Sequence, residues 1–166
     1  MALDPNDRDA VEARLWKDIE DDQVGMLGLV GGEPQHFQPM TAFAEPESGQ
    51  IWFFTYKDTD LAGQAAQGGA QAMFVFQSKK LWACIGGRLT LQHDRERMDR
   101  YWNPVVAAWY PEGKDDPRLT LMRLDADDAQ VWVSDAGPAK FAWEIAKANA
   151  RRETPDLGGR ADLNLH

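Results

Sequence analysis

Six consecutive residues of strong β propensity, Ile51-Trp52-Phe53-Phe54-Thr55-Tyr56, constrain this chain more than any other stretch. Alternation puts Ile51, Phe53 and Thr55 on one side of the strand and Trp52, Phe54 and Tyr56 on the other, so both faces need an apolar partner. One face then looks into a barrel core and the other towards a second chain or a ligand. Pro46-Glu47-Ser48-Gly49 is a turn signal, and ahead of it residues 37–43 (FQPMTAF) read as another extended run, so the two predict a hairpin. In so polar a chain, three adjacent aromatic residues point to a site or an interface beside them.

The rest of the chain supplies more strands than helices. Residues 7–21 carry Val11, Leu15 and Ile19 at helical spacing, with Asp4 or Asn6 as the expected cap and Pro5 at the start. Residues 24–30 (VGMLGLV) read as a strand, and 31–34 (GGEP) as the turn that leads into the hairpin. A short, weak helix or a loop is expected over 61–68, then strands over 72–77 and 81–91, the second bent or bulged at Gly86-Gly87. Residues 94–102 turn helical until Pro104, and 105–110 form a further short helix. Residues 119–124 and 129–134 predict a hairpin across the acidic turn 125–128. A helix over 141–151 precedes residues 154–166, which read as a loosely ordered tail because Gly158-Gly159 interrupts any helix. Helix, strands with short helical interruptions, then helix suggests one domain built on a closed or partly closed antiparallel barrel.

Charge and length exclude several functions. A chain of 166 residues with net charge −9 repels a phosphate backbone or an anionic membrane surface, so nucleic acid is not an expected partner. No apolar run approaches the roughly 20 residues of a membrane span, and no cationic leader followed by an apolar segment opens the chain. The single Cys84 excludes an intrachain disulfide framework, and a soluble, cytoplasmic protein is the expectation.

Familiar catalytic constellations are missing. His36, His93 and His166 lie far apart, and none forms a metal-ligand spacing with another histidine or a glutamate. No serine stands in a nucleophile elbow, and Cys84, between Ala83 and Ile85 in an apolar strand, reads as inert core. The acidic runs at 115–116 and 125–128 read as solvated turns, and no glycine-rich phosphate loop links a strand to a helix. What remains is the aromatic inventory of seven Trp, seven Phe and three Tyr. Core packing accounts for most of it. Clusters of this kind beside Thr55 and Thr59, with Lys57 close by, would also suit a flat heteroaromatic ring whose phosphate tail needs hydroxyl and ammonium donors.

Several segments carry a resemblance: PMT at 39–41, IWFFT at 51–55, IGGR at 85–88, YWNP at 101–104 and AWYPEGKDDPRLTLMRL at 108–124. Over about residues 11–143 the chain resembles the general stress proteins of the pyridoxamine 5′-phosphate oxidase-like, FMN-binding split-barrel superfamily. That resemblance implies a mainly β fold, a six-stranded antiparallel split β-barrel with flanking helices, and a homodimer with FMN sites between the subunits. By position, Gln38, Pro39, Met40 and Thr41 would border the isoalloxazine and ribityl chain. Phe54 and Thr55 would line the same groove, Thr59 and Lys57 would serve the phosphate, and Trp109 would close the site, from either subunit. The chain departs from the family where the phosphate is held: Gln38 replaces an arginine, Leu61 a lysine and Thr59 a serine, leaving Lys57 or Lys79 as substitute cations.

The first expectation is thus an FMN-binding split-barrel dimer, either a flavin-dependent oxidoreductase or a flavin-binding stress protein, with the cofactor doing the chemistry. A second is a non-enzymatic dimer that keeps the groove but has lost tight FMN binding and holds another aromatic molecule or a protein partner. A third is a deazaflavin-binding or haem-degrading relative, because one barrel hosts several cofactors.

Overall fold

The structure, a computed structural model, describes residues 3–31 and 35–166; most of the turn expected at 31–34 lies outside the described residues. In chain order the elements are α1 (Arg8–Asp22), β1 (Val24–Leu29), β2 (Gln38–Thr41), β3 (Phe43–Glu45), β4 (Gln50–Tyr56), α2 (Asp60–Ala66) and β5 (Ala70–Gln77). They continue with β6 (Leu81–Gln92), α3 (Arg95–Tyr101), α4 (Pro104–Trp109), β7 (Leu119–Ser134), α5 (Pro138–Arg151) and β8 (Gly158–Asn164). The cap of α1 is Asp7, not Asp4 or Asn6: its carboxylate accepts the Ala10 N–H at 3.1 Å.

Among the described residues, eight strands form one antiparallel sheet in the order β2-β1-β5-β6-β7-β4-β3, with β8 added beside β7. Sheet order alone requires the sheet to curl. Laid flat, its edge strands β2 and β3 would lie about 29 Å apart at the usual strand spacing, yet a single residue, Ala42, joins them. The sheet therefore closes into a barrel split between β2 and β3, and the buried Ala42 stitches the seam by donating its N–H to the Gln23 carbonyl at 2.8 Å. This corrects the hairpin expected between 37–43 and β4: β3 pairs with β4, whereas β2 pairs with β1. The fold class matches the expected mainly β split barrel, with eight strands where six were expected.

The 16-residue strand β7 replaces the hairpin expected across 125–128. It pairs with β6 along most of its length, with β4 through its first half and with β8 through its second. The acidic run is accommodated by a bulge instead of a turn. Gly86 faces Asp128 and Gly87 faces Ala126, so Asp127 is the extra residue. The slip also changes the alternation. Met122, Leu124 and Ala126 point into the core before it and Ala129, Val131 and Val133 after it, so the apolar set stays inside on both sides. Gly87 is required there, since a Cβ would stand 2.1 Å from the Asp125 carbonyl oxygen.

Residues 158–164 are no loose tail. They form β8, and Ala161, Leu163 and Leu165 are buried in the main core. Gly158-Gly159 does not break order; Gly158 adopts φ 131° where the backbone passes 1.8 Å from the position of an added Cβ to the Val133 carbonyl. A strand needs only alternate apolar residues, and Ala161, Leu163 and Leu165 provide them.

The two faces of β4 divide the interior. Ile51 and Phe53 join α1, β5, β6 and β7 in the main core. Trp52 and Phe54 face a second cluster with Phe43, Met98, Val106, Leu119 and Leu121, roofed by α3 and α4 of the same chain. The expected second chain or ligand is thus partly replaced by the chain's own helices. Trp52 lies beneath the Arg97 guanidinium, 4.3 Å from the ring centroid, and Tyr101 stacks on Phe43 at 4.7 Å. Among the described residues, no helix is long and apolar enough to cross a membrane.

Candidate functional site

A groove of about 490 Å³ opens beside the barrel seam, lined by Val24, Gln38, Pro39, Met40, Thr41, Phe43, Phe54, Val106, Trp109 and Tyr110. One wall is β2. Proline is tolerated at position 39 because an edge strand need not donate every N–H, and the same edge leaves a row of backbone groups available to a ligand. Phe43 and Phe54 close the bottom, both less than a tenth exposed.

The opposite wall is α4. Asn103 caps it by accepting the Val106 N–H at 2.9 Å, Pro104 opens it, and three- and four-residue spacing brings Val106, Trp109 and Tyr110 to one face. Val106 is buried, whereas the Trp109 side chain is 74% exposed at the groove mouth. Tyr110 donates its hydroxyl to the Phe54 carbonyl at 2.9 Å. Burial, reinforced by the neighbouring Tyr56, pushes the Tyr110 hydroxyl up to about 12, so it stays neutral and already has its partner. None of the ten lining residues is charged, and none is a free acid or base near neutral pH. The arrangement suits a flat, uncharged, aromatic ligand of drug or cofactor size.

The structure separates the residues singled out from the sequence. Gln38, Pro39, Met40, Thr41, Phe54 and Trp109 come together in the groove. Thr55 does not, because alternation turns it away from Phe54. It is buried, with its hydroxyl 3.2 Å from the Tyr56 carbonyl and 3.3 Å from the Thr59 hydroxyl. Lys57 and Thr59 line a separate, shallow depression with Gln35, Asp58, Asp60, Gly63, Gln64 and Gln67. The Thr59 hydroxyl already caps α2, accepting the Ala62 N–H at 3.2 Å and donating to the Tyr56 carbonyl at 3.1 Å. Leu61 is buried in the main core, and Lys79, on the β5–β6 turn, lines neither concavity. Two segments run between groove and depression: Gln35 and Gln38 on one, Phe54 and Lys57 on the other.

Sequence reasoning missed Val24, Phe43, Val106 and Tyr110. The last two were readable from their spacing to Trp109. Val24 and Phe43 were not, because only barrel closure sets them across the seam from each other.

The sequence profile of the family described as pyridoxamine 5′-phosphate oxidase like matches residues 9–156, most of the chain. The chain belongs to this pyridoxamine 5′-phosphate oxidase-like family. Solved structures extend the likeness. A general stress protein 26 from Jannaschia sp. CCS1 is 36% identical over 92% of this chain and 96% of that one, with a TM-score of 0.75. The general stress FMN/FAD binding protein from Xanthomonas citri is 45% identical over 78% of this chain and 92% of that one, with a TM-score of 0.70. A Clostridium acetobutylicum protein related to general stress protein 26 of B. subtilis, at 18% identity and a TM-score of 0.63 over 79% of this chain and 91% of that one, shares the fold alone. No curated protein matches the chain. Among the described residues, the seam groove is where this chain's β2 residues, Phe54 and Trp109 meet.

Proposed function

We propose that this protein binds a flavin, with the isoalloxazine ring in the seam groove, and works in the cytoplasm as a homodimeric general stress protein of the flavin-binding type. The observation that carries the reading is the groove itself: about 490 Å³, uncharged, and walled by an edge strand on one side and Trp109 and Tyr110 on the other. A flat ring bounded by polar ring atoms fits that lining. The apolar walls cover its faces, and the free edge of β2 with Gln38 and Thr41 offers hydrogen bonds to its rim. Support also comes from the FMN/FAD binding protein of Xanthomonas citri, whose chain is 45% identical.

A bound flavin would supply hydride or electron transfer. The protein's part would be positional: β2 fixes the ring's edge, Phe43 and Phe54 set its depth, and Trp109 limits water at its exposed face. An oxidoreductase role fits a groove that has no acid or base of its own. A second reading, a dimer that keeps the groove without catalysis, draws on the two carboxylates and one ammonium of the neighbouring depression, a poor match for a cofactor phosphate.

Flavin fluorescence titration of the purified chain with riboflavin tests the proposal. The expected result is saturable quenching with one site per chain. Absence of quenching by any flavin, together with a colourless protein as purified, would remove the proposal.

The dimer rests on exposed apolar surface. Val24, Met26, Val75, Trp82 and Trp132 lie on the outer faces of β1, β5, β6 and β7, each roughly two-fifths or more exposed, and Val24 also lines the groove. The single Cys84, unpaired, suits a reducing compartment.

A further inference from the structure

We propose that the site selects a flavin whose ribityl tail ends in a neutral hydroxyl over the same ring ending in a phosphate dianion. The inference rests on the flavin reading and concerns the other end of the ligand. A ring seated in the groove sends its tail along the segments that lead into β2 and out of β4, towards the depression at Lys57, because Gln35 and Lys57 of that depression lie three residues from Gln38 and Phe54 of the groove. Among the described residues, the depression presents one cation, Lys57, against two carboxylates, Asp58 and Asp60, a formal charge of +1 − 2 = −1. Its remaining polar side chains are neutral: Gln35, Gln64 and Gln67, whose amides both donate and accept, and Thr59, whose hydroxyl is occupied by its cap. Such a set complements a chain of hydroxyl groups. It opposes a dianion in a protein whose net charge is already −9.

Cations nearby are engaged elsewhere. Arg118, whose carbonyl accepts the Lys57 N–H, is held by Asp116 at 2.9 and 3.3 Å and lies over the Tyr56 ring. Arg88 donates to the Gly68 carbonyl past the end of α2. Leu61 is turned into the core, and Gln38, on the segment between groove and depression, is neutral.

The test is a pair of fluorescence titrations on the intact protein, riboflavin against FMN, at pH 7.5 and low salt. Riboflavin is expected to bind at least tenfold tighter. Lowering the pH to 5.5, below the second phosphate ionisation near 6, leaves mostly a monoanion and should close much of that gap by improving FMN alone. A D58N/D60N variant, shown by its melting curve to be folded, should tighten FMN severalfold more than it changes riboflavin, and so narrow the gap between the two ligands. FMN binding as tightly as riboflavin or tighter in the wild-type protein would overturn the inference and leave the flavin reading standing. Failure of both ligands to bind would overturn the flavin reading itself and this inference with it.

Discussion

Trp109 sits on the outside of a helix that a monomer's stability does not need it for: its neighbour Val106 does the packing, while the indole stands 74% exposed over the groove. That division predicts a clean separation of effects. Stacking of a flat ring on one aromatic side chain contributes about 1–2 kcal/mol. Trp109→Ala should therefore weaken riboflavin roughly five- to thirtyfold while leaving the melting temperature within a degree or two, and Trp109→Phe should restore most of the affinity. Titration and thermal melting of the same preparations decide it; an unchanged affinity would place the ring elsewhere. Glu45 shows the opposite type of residue, one that serves the scaffold. Burial raises its carboxyl, but the Arg97 guanidinium, 3.1 Å away, and then Tyr101 outweigh that and hold it below its ordinary 4.5. A depressed carboxyl contributes stability that is present above 4.5 and lost as pH falls through the folded value. Acid titration should thus loosen α3 from Trp52 and Phe43 below pH 4.5, visible as a change in tryptophan emission, and Glu45→Gln should flatten that part of the profile.

Among the elements, β7 and β8 carry the clearest consequence. β8 covers the second half of β7 and buries Leu163 and Leu165, worth about 1.5–3 kcal/mol each. Ending the chain at residue 157 should remove about 3 kcal/mol or more and leave an unprotected strand edge, so the truncated protein is expected to melt well below the full chain or to aggregate. A truncation that melted with the full chain would mean that β8 adds nothing to the sheet. Element spacing explains why this was not foreseen. Seven residues with apolar side chains only at Ala161 and Leu163 give a weak signal beside paired glycines, and their value appears only once β7 offers them an edge.

At the scale of the whole molecule, the exposed aromatic residues Trp82, Trp109, Trp132, Phe141 and Trp143 stand between two-fifths and three-quarters uncovered. At about 150–250 Å² per aromatic side chain, their exposed parts amount to about 400–700 Å², comparable with the roughly 800 Å² that each partner buries in an interface of standard size. Light scattering at micromolar concentration should find a dimer, and Trp82→Lys with Trp132→Lys should shift it towards monomer while circular dichroism stays unchanged. A wild-type monomer would remove the dimer proposal. The barrel's closure belongs to this scale too, since the groove exists only because β2 and β3, adjacent in sequence, are edge strands at opposite ends of the sheet order.

Local pattern determined a great deal. The run from Ile51 to Tyr56 could only be a strand buried on both faces, Gly86-Gly87 marked a bulge, and the segments shared with the family were enough for the split-barrel class and for six residues of the groove. These are properties of alternation, turn chemistry and short motifs, which act over a few residues. Tertiary structure decided the rest. It made one strand of two by absorbing Asp127 opposite paired glycines, drew the last residues into the sheet, and turned Thr55 away from the groove that Phe54 lines. It also set Lys57 and Thr59 beside two carboxylates, apart from the aromatic walls. Each of these outcomes depends on which distant backbone lies alongside, and strand partners separated by tens of residues are chosen by burial of the whole apolar set, a quantity no local stretch contains.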